Sequence, residues 1–260
     1  ENTVFQSDAK AELGFCLYIE TEDNHKILFD IGQTDLFAYN AQLFDIDINE
    51  IDSLVLSHGH YDHTGGIEKF LQLNNHADIY IKEGYDTPKF NKIGKYIGVP
   101  TNIHIPQDRL HITKEITKIA EGIYIIPNIK IYDARETHFT HLTVRDGDNL
   151  KEDSFEDEQF LVIQKNNKLS LVSGCAHRGI VNTIQSAIEH FDVPIDLVIG
   201  GFHTLHEDEQ TIRQLANKLN QLSIDRIIAC HCTGIDQYAQ LKNEYKGNIQ
   251  YGHVGLNTYL

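Results

Sequence analysis

The run Ile51-Asp52-Ser53-Leu54-Val55-Leu56-Ser57 constrains this chain most, because it empties directly into His58-Gly59-His60-Tyr61-Asp62-His63. An apolar run of strand length suits a strand covered on both faces, which requires further layers on either side. Three imidazoles and a carboxylate at its end define a metal site. In an extended segment His58 and His60 point the same way, because side chains repeat with period two. The chain then turns, so that Asp62 and His63 can face a second centre nearby. Imidazole and carboxylate are the usual ligands of Zn²⁺ and also suit Fe and Mn. Gly65-Gly66 lets the backbone pass close to the site and opens a helix whose N-terminal end favours an anion. A solvent-facing histidine cluster is the competing reading, but such a tract would not follow a buried strand.

Composition narrows the function classes. The 260 residues are 41% hydrophobic and 23% charged, which is enough for a large core and argues against disorder. One domain spanning 1–260 is expected. The net charge of −16 repels phosphate backbones, so a small anionic molecule is the expected partner and nucleic acid is not. Any apolar run is shorter than the ~18 residues a membrane helix needs. Residues 1–5 show neither the basic nor the apolar stretch of a secretory signal. Cys16, Cys175, Cys230 and Cys232 form no C-x-x-C pair and read as reduced thiols, so a cytoplasmic protein is expected.

Two halves of similar order run along the chain. Residues 14–20 and 26–30 flank the polar turn Thr21–His25 as a hairpin, followed by a helix over 34–44, the strand 51–57 and a short helix from Ile67 to Leu73. The last third offers a hairpin with the turn Asn166-Asn167, a helix from Ile180 to Phe191 and the strand Leu197–Ile199. A helix from Glu209 to Leu222 and the strand Arg226–Cys230 follow. Between them, 85–158 reads as an irregular insertion bordering the active site, with a helix over Lys89–Ile97, a strand over Gly122–Pro127 and an acidic loop over Arg145–Glu158. This order suggests two sheets sandwiched between helices.

His-x-His-x-Asp-His after a strand, preceded by Leu28-Phe29-Asp30-Ile31-Gly32, resembles the signature of the metallo-β-lactamase superfold. That resemblance implies a four-layer αββα sandwich with ligands at strand ends. Later ligands should then come from other strand ends, and Ser173-Gly174-Cys175-Ala176-His177-Arg178-Gly179 and Ala229-Cys230-His231-Cys232-Thr233-Gly234 supply them. His177 and His231 are the expected fourth and fifth nitrogen ligands, against a capped helix start and a core histidine. Where many members place a bridging Asp, this chain has Cys175, either an unusual ligand or a bystander whose role passes to His177. The blocks Gly200-Gly201-Phe202-His203, Gly174–Asn182 and His231-Cys232-Thr233-Gly234 resemble one branch, the 7,8-dihydropterin-6-methyl-4-(β-D-ribofuranosyl)aminobenzene-5′-phosphate synthases.

These readings set functional expectations. Two divalent ions, most simply Zn²⁺, would share a hydroxide that attacks a phosphodiester or related ester. Asp62 would hold the second ion and orient the nucleophile. His203 is expected as a general acid, a phosphate contact or a ligand, against helix capping or packing. Arg178, beside His177 at a helix start, is a candidate anion clamp, against a solvent-facing arginine. Asp30 reads as a group orienting a ligand histidine. His138, His141 and His253 carry no assigned role. The alternative to a metal-dependent hydrolase is a synthase joining a dihydropterin diphosphate to ribofuranosylaminobenzene 5′-phosphate. Oxygen or nitric-oxide reduction is disfavoured, since that relative resembles His-x-Glu-x-Asp and carries a flavin domain.

Overall fold

The computed structural model describes residues 1–5, 8–101 and 103–260. Polar turns divide the first third into β1 (Leu17–Glu20), β2 (Lys26–Phe29), α1 (Leu36–Leu43), β3 (Ser53–Val55), α2 (Tyr61–Thr64), α3 (Ile67–Leu73) and β4 (Asp78–Lys82). The middle holds β5 (Lys89–Phe90), β6 (Leu110–Thr113), β7 (Thr117–Ala120), β8 (Ile123–Ile126), β9 (Thr143–Asp146) and β10 (Asn149–Glu152). The last third holds β11 (Phe160–Lys165), β12 (Lys168–Ser173), α4 (Ile180–His190), β13 (Ile195–Gly201), α5 (Glu209–Gln221), β14 (Arg226–Cys230), α6 (Ile235–Glu244) and β15 (Asn248–Tyr251).

Among the described residues the strands form one sheet in the order β1-β2-β3-β4-β6, one in the order β15-β14-β13-β12-β11-β8-β7, and a small sheet β10-β9-β5. Alternation along each strand sorts the apolar side chains into three interfaces. Leu28 and Leu54 pack with Phe37 and Ala41 of α1 and Ile67 and Phe70 of α3. Their neighbours Ile27, Phe29 and Val55 face the other way and meet Leu161, Val172, Leu197, Ile199 and Ile228 of the large sheet. That sheet's opposite residues, Val162, Leu171, Val198 and Ile227, pack against Ile184 of α4, Ile212 and Leu215 of α5 and Leu241 of α6. Three apolar interfaces between four layers make the expected αββα sandwich.

The hairpins form for local reasons. Asn166 and Asn167 both take left-handed φ (51° and 60°), as a two-residue turn between β11 and β12 demands. The helix expected over Lys89–Ile97 is absent. Lys89 and Phe90 pair with β9, Phe90 bridges to Tyr96, and Asn91 Oδ1 accepts the backbone N–H groups of Ile93 and Lys95 in a tight turn. The acidic stretch from Arg145 is likewise not a plain loop: β9 and β10 form a hairpin around Gly147, and Asp153, Asp157 and Glu158 are buried. The region 85–158 also supplies β6 to the first sheet and β7 and β8 to the large one.

Candidate metal centre

Parallel strands β2 and β3 of the first sheet, and β12, β13 and β14 of the other, deliver their C-terminal ends to one place. Four residues just past those ends take left-handed backbone without being glycine: Asp30 (φ 57°), Ala176 (52°), His203 (51°) and His231 (51°). Each such residue costs about 1–3 kcal/mol unless its surroundings impose it. Backbones also approach closely here. A Cβ on Gly59 would run into the Tyr85 carbonyl, and one on Gly174 into the Ser57 hydroxyl.

The first motif folds as its spacing implies. His58, His60 and His63 are buried, and Asp62 and His63 sit on α2. Neighbours fix the ring orientations. Asp30 accepts from the Ser57 backbone N–H (2.7 Å) and hydroxyl (2.8 Å), and its Oδ2 lies 2.7 Å from His63 Nδ1. Ser57 Oγ in turn lies 2.9 Å from His58 Nδ1. His231 Nδ1 is 3.0 Å from Asn2 Oδ1, which also accepts the Gly14 N–H. With Nδ1 engaged, the Nε2 atoms of His58, His63 and His231 are left to face inward as donors.

Five overlapping donor groups result among the described residues: three include Cys175, one of these with His177 and His203, and two carry no thiol. One potential ligand atom from each of His58, His60 and His177 lies within 4.8 Å of the other two, and so does one from each of Asp62, His63 and His231. Atoms sharing an ion at bonds of about 2.0–2.3 Å can be at most ~4.6 Å apart, so both sets suit a divalent ion with little adjustment. His60 Nε2, both ring nitrogens of His177, His203 Nδ1 and His231 Nε2 are buried with no hydrogen-bond partner. Orphaned nitrogens are costly in an interior and ordinary around a metal ion. Cys175 Sγ lies 3.1 Å from His63 Nε2, between the sets.

At His58, His60 and His177 the electrostatics agree with ligation. Burial pushes the His60 imidazole down to about 3, and burial with the surrounding histidines holds His58 and His177 well below their usual range. These rings are therefore neutral, the form that ligates. His63 moves up, because Asp30 and Asp62 outweigh its burial. Asp62 is held below the usual carboxylate range, its burial overcome by His63 and His231.

His203 sits beside this centre, its ring centroid 4.1 Å from that of His177. Burial, with His138 at 5.5 Å between centroids, pushes it down to about 3. It is thus neutral rather than a charged donor, and a weak base. Arg178 is beside the centre but its guanidinium is engaged elsewhere, donating to the Ile129 and Ser154 carbonyls (3.0 and 2.6 Å) and to Glu156. Those contacts tie loops together.

Sequence reasoning missed several contributors. Glu158 accepts the backbone N–H groups of His177 (2.7 Å) and Arg178 (2.8 Å), and burial raises its carboxyl to about 7. Phe155 stacks on the His177 ring at 3.7 Å between centroids. Buried Lys89 bonds Asp153 (2.8 Å) and Asp157 (3.0 Å), and Asp157 accepts the Gly59 N–H between two ligand histidines (2.8 Å). The available signal was three carboxylates in Glu156-Asp157-Glu158 abutting a buried strand. His138 lies near His203, whereas His253 packs on Phe5. Among the described residues no helix is long and apolar enough to cross a membrane.

Comparison with known proteins places this arrangement. A family model described as the metallo-beta-lactamase superfamily matches residues 9–231. The 7,8-dihydropterin-6-methyl-4-(beta-D-ribofuranosyl)-aminobenzene-5′-phosphate synthase of Methanocaldococcus jannaschii is 28% identical, covering 96% of this chain and 91% of its own. An uncharacterized protein of the same organism is 31% identical, covering 94% and 92%. The crystal structure of a metal-dependent hydrolase of the beta-lactamase superfamily is similar with a TM-score of 0.83 at 28% identity, over 100% of this chain and 96% of that one. The chain belongs to the metallo-beta-lactamase superfamily.

Proposed function

We propose that this chain is a metal-dependent enzyme for a small phosphorylated substrate, and that it runs the pterin-related condensation. A dihydropterin diphosphate would be joined to ribofuranosylaminobenzene 5′-phosphate with loss of diphosphate. The supporting observation is the synthase relative, aligned over nearly the full length of both chains, on a site whose ligand histidines are all present. We take residues 1–260 as one domain working in the cytoplasm.

His58, His60 and His177 would hold one divalent ion, and Asp62, His63 and His231 a second, with Zn²⁺ first in order and Fe or Mn as alternatives. When bound, the ions would supply the positive charge that stabilises a departing diphosphate. That charge matters in a chain with net charge −16. In the condensation the bond from the pterin methylene carbon to oxygen breaks, and diphosphate leaves with the electron pair. The aminobenzene partner forms the new bond to that carbon and loses a proton. Solvent or the departing diphosphate would take it, while His203, neutral and carrying a free Nδ1, would accept a hydrogen bond from the substrate. Phe139, half-buried and stacked on Phe155 (5.9 Å, 20°), offers an aromatic face for a flat pterin ring. Arg178 keeps its loop-tying role in this scheme.

Hydrolysis of a phosphodiester or related ester is the second reading, favoured by the complete His-x-His-x-Asp-His set and by the hydrolase structure of similar fold. Asp62 would then orient an attacking water. One assay separates the two. Metal-loaded protein is given the pterin diphosphate with and without the aminobenzene phosphate, and diphosphate is measured; bis-p-nitrophenyl phosphate is tested in parallel, with and without chelator. Release that needs both substrates, and is lost in His60→Ala, supports the synthase. Chelator-sensitive cleavage without the second substrate supports hydrolysis, and no turnover in either assay refutes both.

A further inference from the structure

One amide side chain ties the two halves of the chain together beside the candidate centre. Asn2 lies in residues 1–4, which run beside the segment after β15: the Val254 N–H donates to the Thr3 carbonyl (2.9 Å), and Val4 bridges to Val254. Asn2 Nδ2 donates to the His231 carbonyl (3.3 Å), while Oδ1 accepts the Gly14 N–H (3.1 Å) and lies 3.0 Å from His231 Nδ1. Gly14 is packed without room for a side chain, since a Cβ there would sit 2.9 Å from the Asp62 carbonyl oxygen. The next residue, Phe15, donates its N–H to that same carbonyl (3.2 Å). Asn2 therefore links His231, just past β14 of the large sheet, to the backbone that holds Asp62 beyond β3 of the first sheet.

The network fixes which end of the amide is which. A backbone N–H can only donate and a carbonyl can only accept, so the atom facing Gly14 is the oxygen and the atom facing the His231 carbonyl is the NH₂. An amide oxygen has no proton to give, so His231 Nδ1 must carry the proton of that contact, and Nε2 keeps its lone pair. Nε2 is buried without a hydrogen-bond partner and lies 3.4 Å from Asp62 Oδ2. Two donor groups include His231, one with Asp62 and His63 and one with Cys175 and Cys232, whereas the group of His58, His60 and His177 does not.

We propose that Asn2 is a positioning residue for one half of the metal centre: it holds His231 in the Nδ1-protonated tautomer and, through Gly14 and Phe15, in register with Asp62. The proposal rests on the metal-centre reading above. Whichever side chains complete the ion beside His231, its retention then depends on residues 1–4 being docked. The dependence is reciprocal, so an ion on His231 holds residues 1–4 in place by the same factor. The ion on His58, His60 and His177 is independent of Asn2.

The test reads tautomer, affinity and protection separately. Long-range ¹H–¹⁵N correlation spectra of the metal-free chain, with the ring assigned by its absence in His231→Gln, show His231 protonated at Nδ1. In Asn2→Ala the two tautomers mix, and Asn2→Asp, which keeps an acceptor at Nδ1, restores the single form. Zn²⁺ titrated against a chromophoric chelator binds one site of Asn2→Ala about 10–100-fold more weakly and the other within about twofold of wild type, and Asn2→Asp recovers most of the loss. In the wild-type chain saturating Zn²⁺ slows amide exchange at Gly14 and Val254, whose N–H groups donate to Asn2 and Thr3, by at least about tenfold. An unchanged His231 tautomer in Asn2→Ala, an equal loss at both sites, or no wild-type protection by Zn²⁺ overturns the positioning role and leaves the metal-centre reading standing. The protection measurement needs no variant, so it decides the matter even if Asn2→Ala unfolds. A wild-type chain that binds no Zn²⁺ overturns both.

Discussion

Lys89→Met tests how the small sheet supports the metal loop. The Lys89 ammonium is 2% exposed and bonds two carboxylates, Asp153 at 2.8 Å and Asp157 at 3.0 Å, which are themselves 5% and 3% exposed. Methionine keeps the apolar stem but leaves two buried acids facing each other with no cation. Removing one partner of a buried ionic group costs about 3–5 kcal/mol. Unfolding entropy of about 2.1 cal/mol/K per residue, multiplied by 260 residues, gives roughly 0.55 kcal/mol/K. The expected fall in Tm is therefore about 5–9 °C. The chain has no Trp and 12 Tyr, so urea unfolding is followed by far-ultraviolet circular dichroism with tyrosine emission as the second probe. Metal affinity should drop as well, by about 10–100-fold, because Asp157 positions Gly59 between His58 and His60. Adding Asp153→Asn and Asp157→Asn to Lys89→Met should recover part of the stability by removing the stranded charges. A loss under about 1 kcal/mol for Lys89→Met alone would refute the reasoning, since it would mean that the triad is hydrated or dispensable.

Further outcomes follow from the same geometry. Chelation should lower Tm by at least about 5 °C, because each ion held at about a thousandfold above its Kd contributes roughly 4 kcal/mol; calorimetry with and without chelator checks it. Glu158→Gln should cost about 1–3 kcal/mol in urea unfolding, since both carboxylate oxygens accept backbone N–H groups and one would become an amide NH₂ facing a donor. Ala176→Gly should change stability by less than about 1 kcal/mol, relief of left-handed strain offsetting the lost buried methyl. Ala176→Val should instead lose about 2–4 kcal/mol, because a β-branched residue fits neither that φ nor that space; paired denaturation curves distinguish the two.

The layers were legible because strands covered on both faces must be apolar at nearly every position. Phe160–Ile163 and Arg226–Cys230 could therefore be placed without the structure, and their alternate residues divide between two interfaces. The convergence of the candidate ligand histidines was legible for a related reason, as polar residues that interrupt such runs at strand ends. The helix expected over Lys89–Ile97 failed because apolar residues three and four apart, here Phe90, Ile93 and Ile97, suit a helix and also a tight hairpin with its tip exposed. Ile93, 78% exposed, is that tip. Asp30 was legible as an orienting group, but the others were hidden for a different reason. Asn2 reaches His231 across 229 positions and Asp157 reaches Gly59 across 98, and no local pattern encodes contacts so distant in sequence. Arg178 reads as an anion site because it stands at a helix start, and its contacts to Ile129, Ser154 and Glu156 lie outside any local pattern.

The order of the ligands along the chain bears on biosynthesis. Synthesis delivers His58, His60, Asp62 and His63 early, while His177 and His231 appear only with β12 and β14. Each of the two main donor sets draws on both halves, so a nascent chain ending before β14 can offer an ion only an incomplete second set. Ions captured at that stage would be loosely held and exchangeable. Tight loading would wait for the second sheet to close over the first, so that metal retention would report on completed folding.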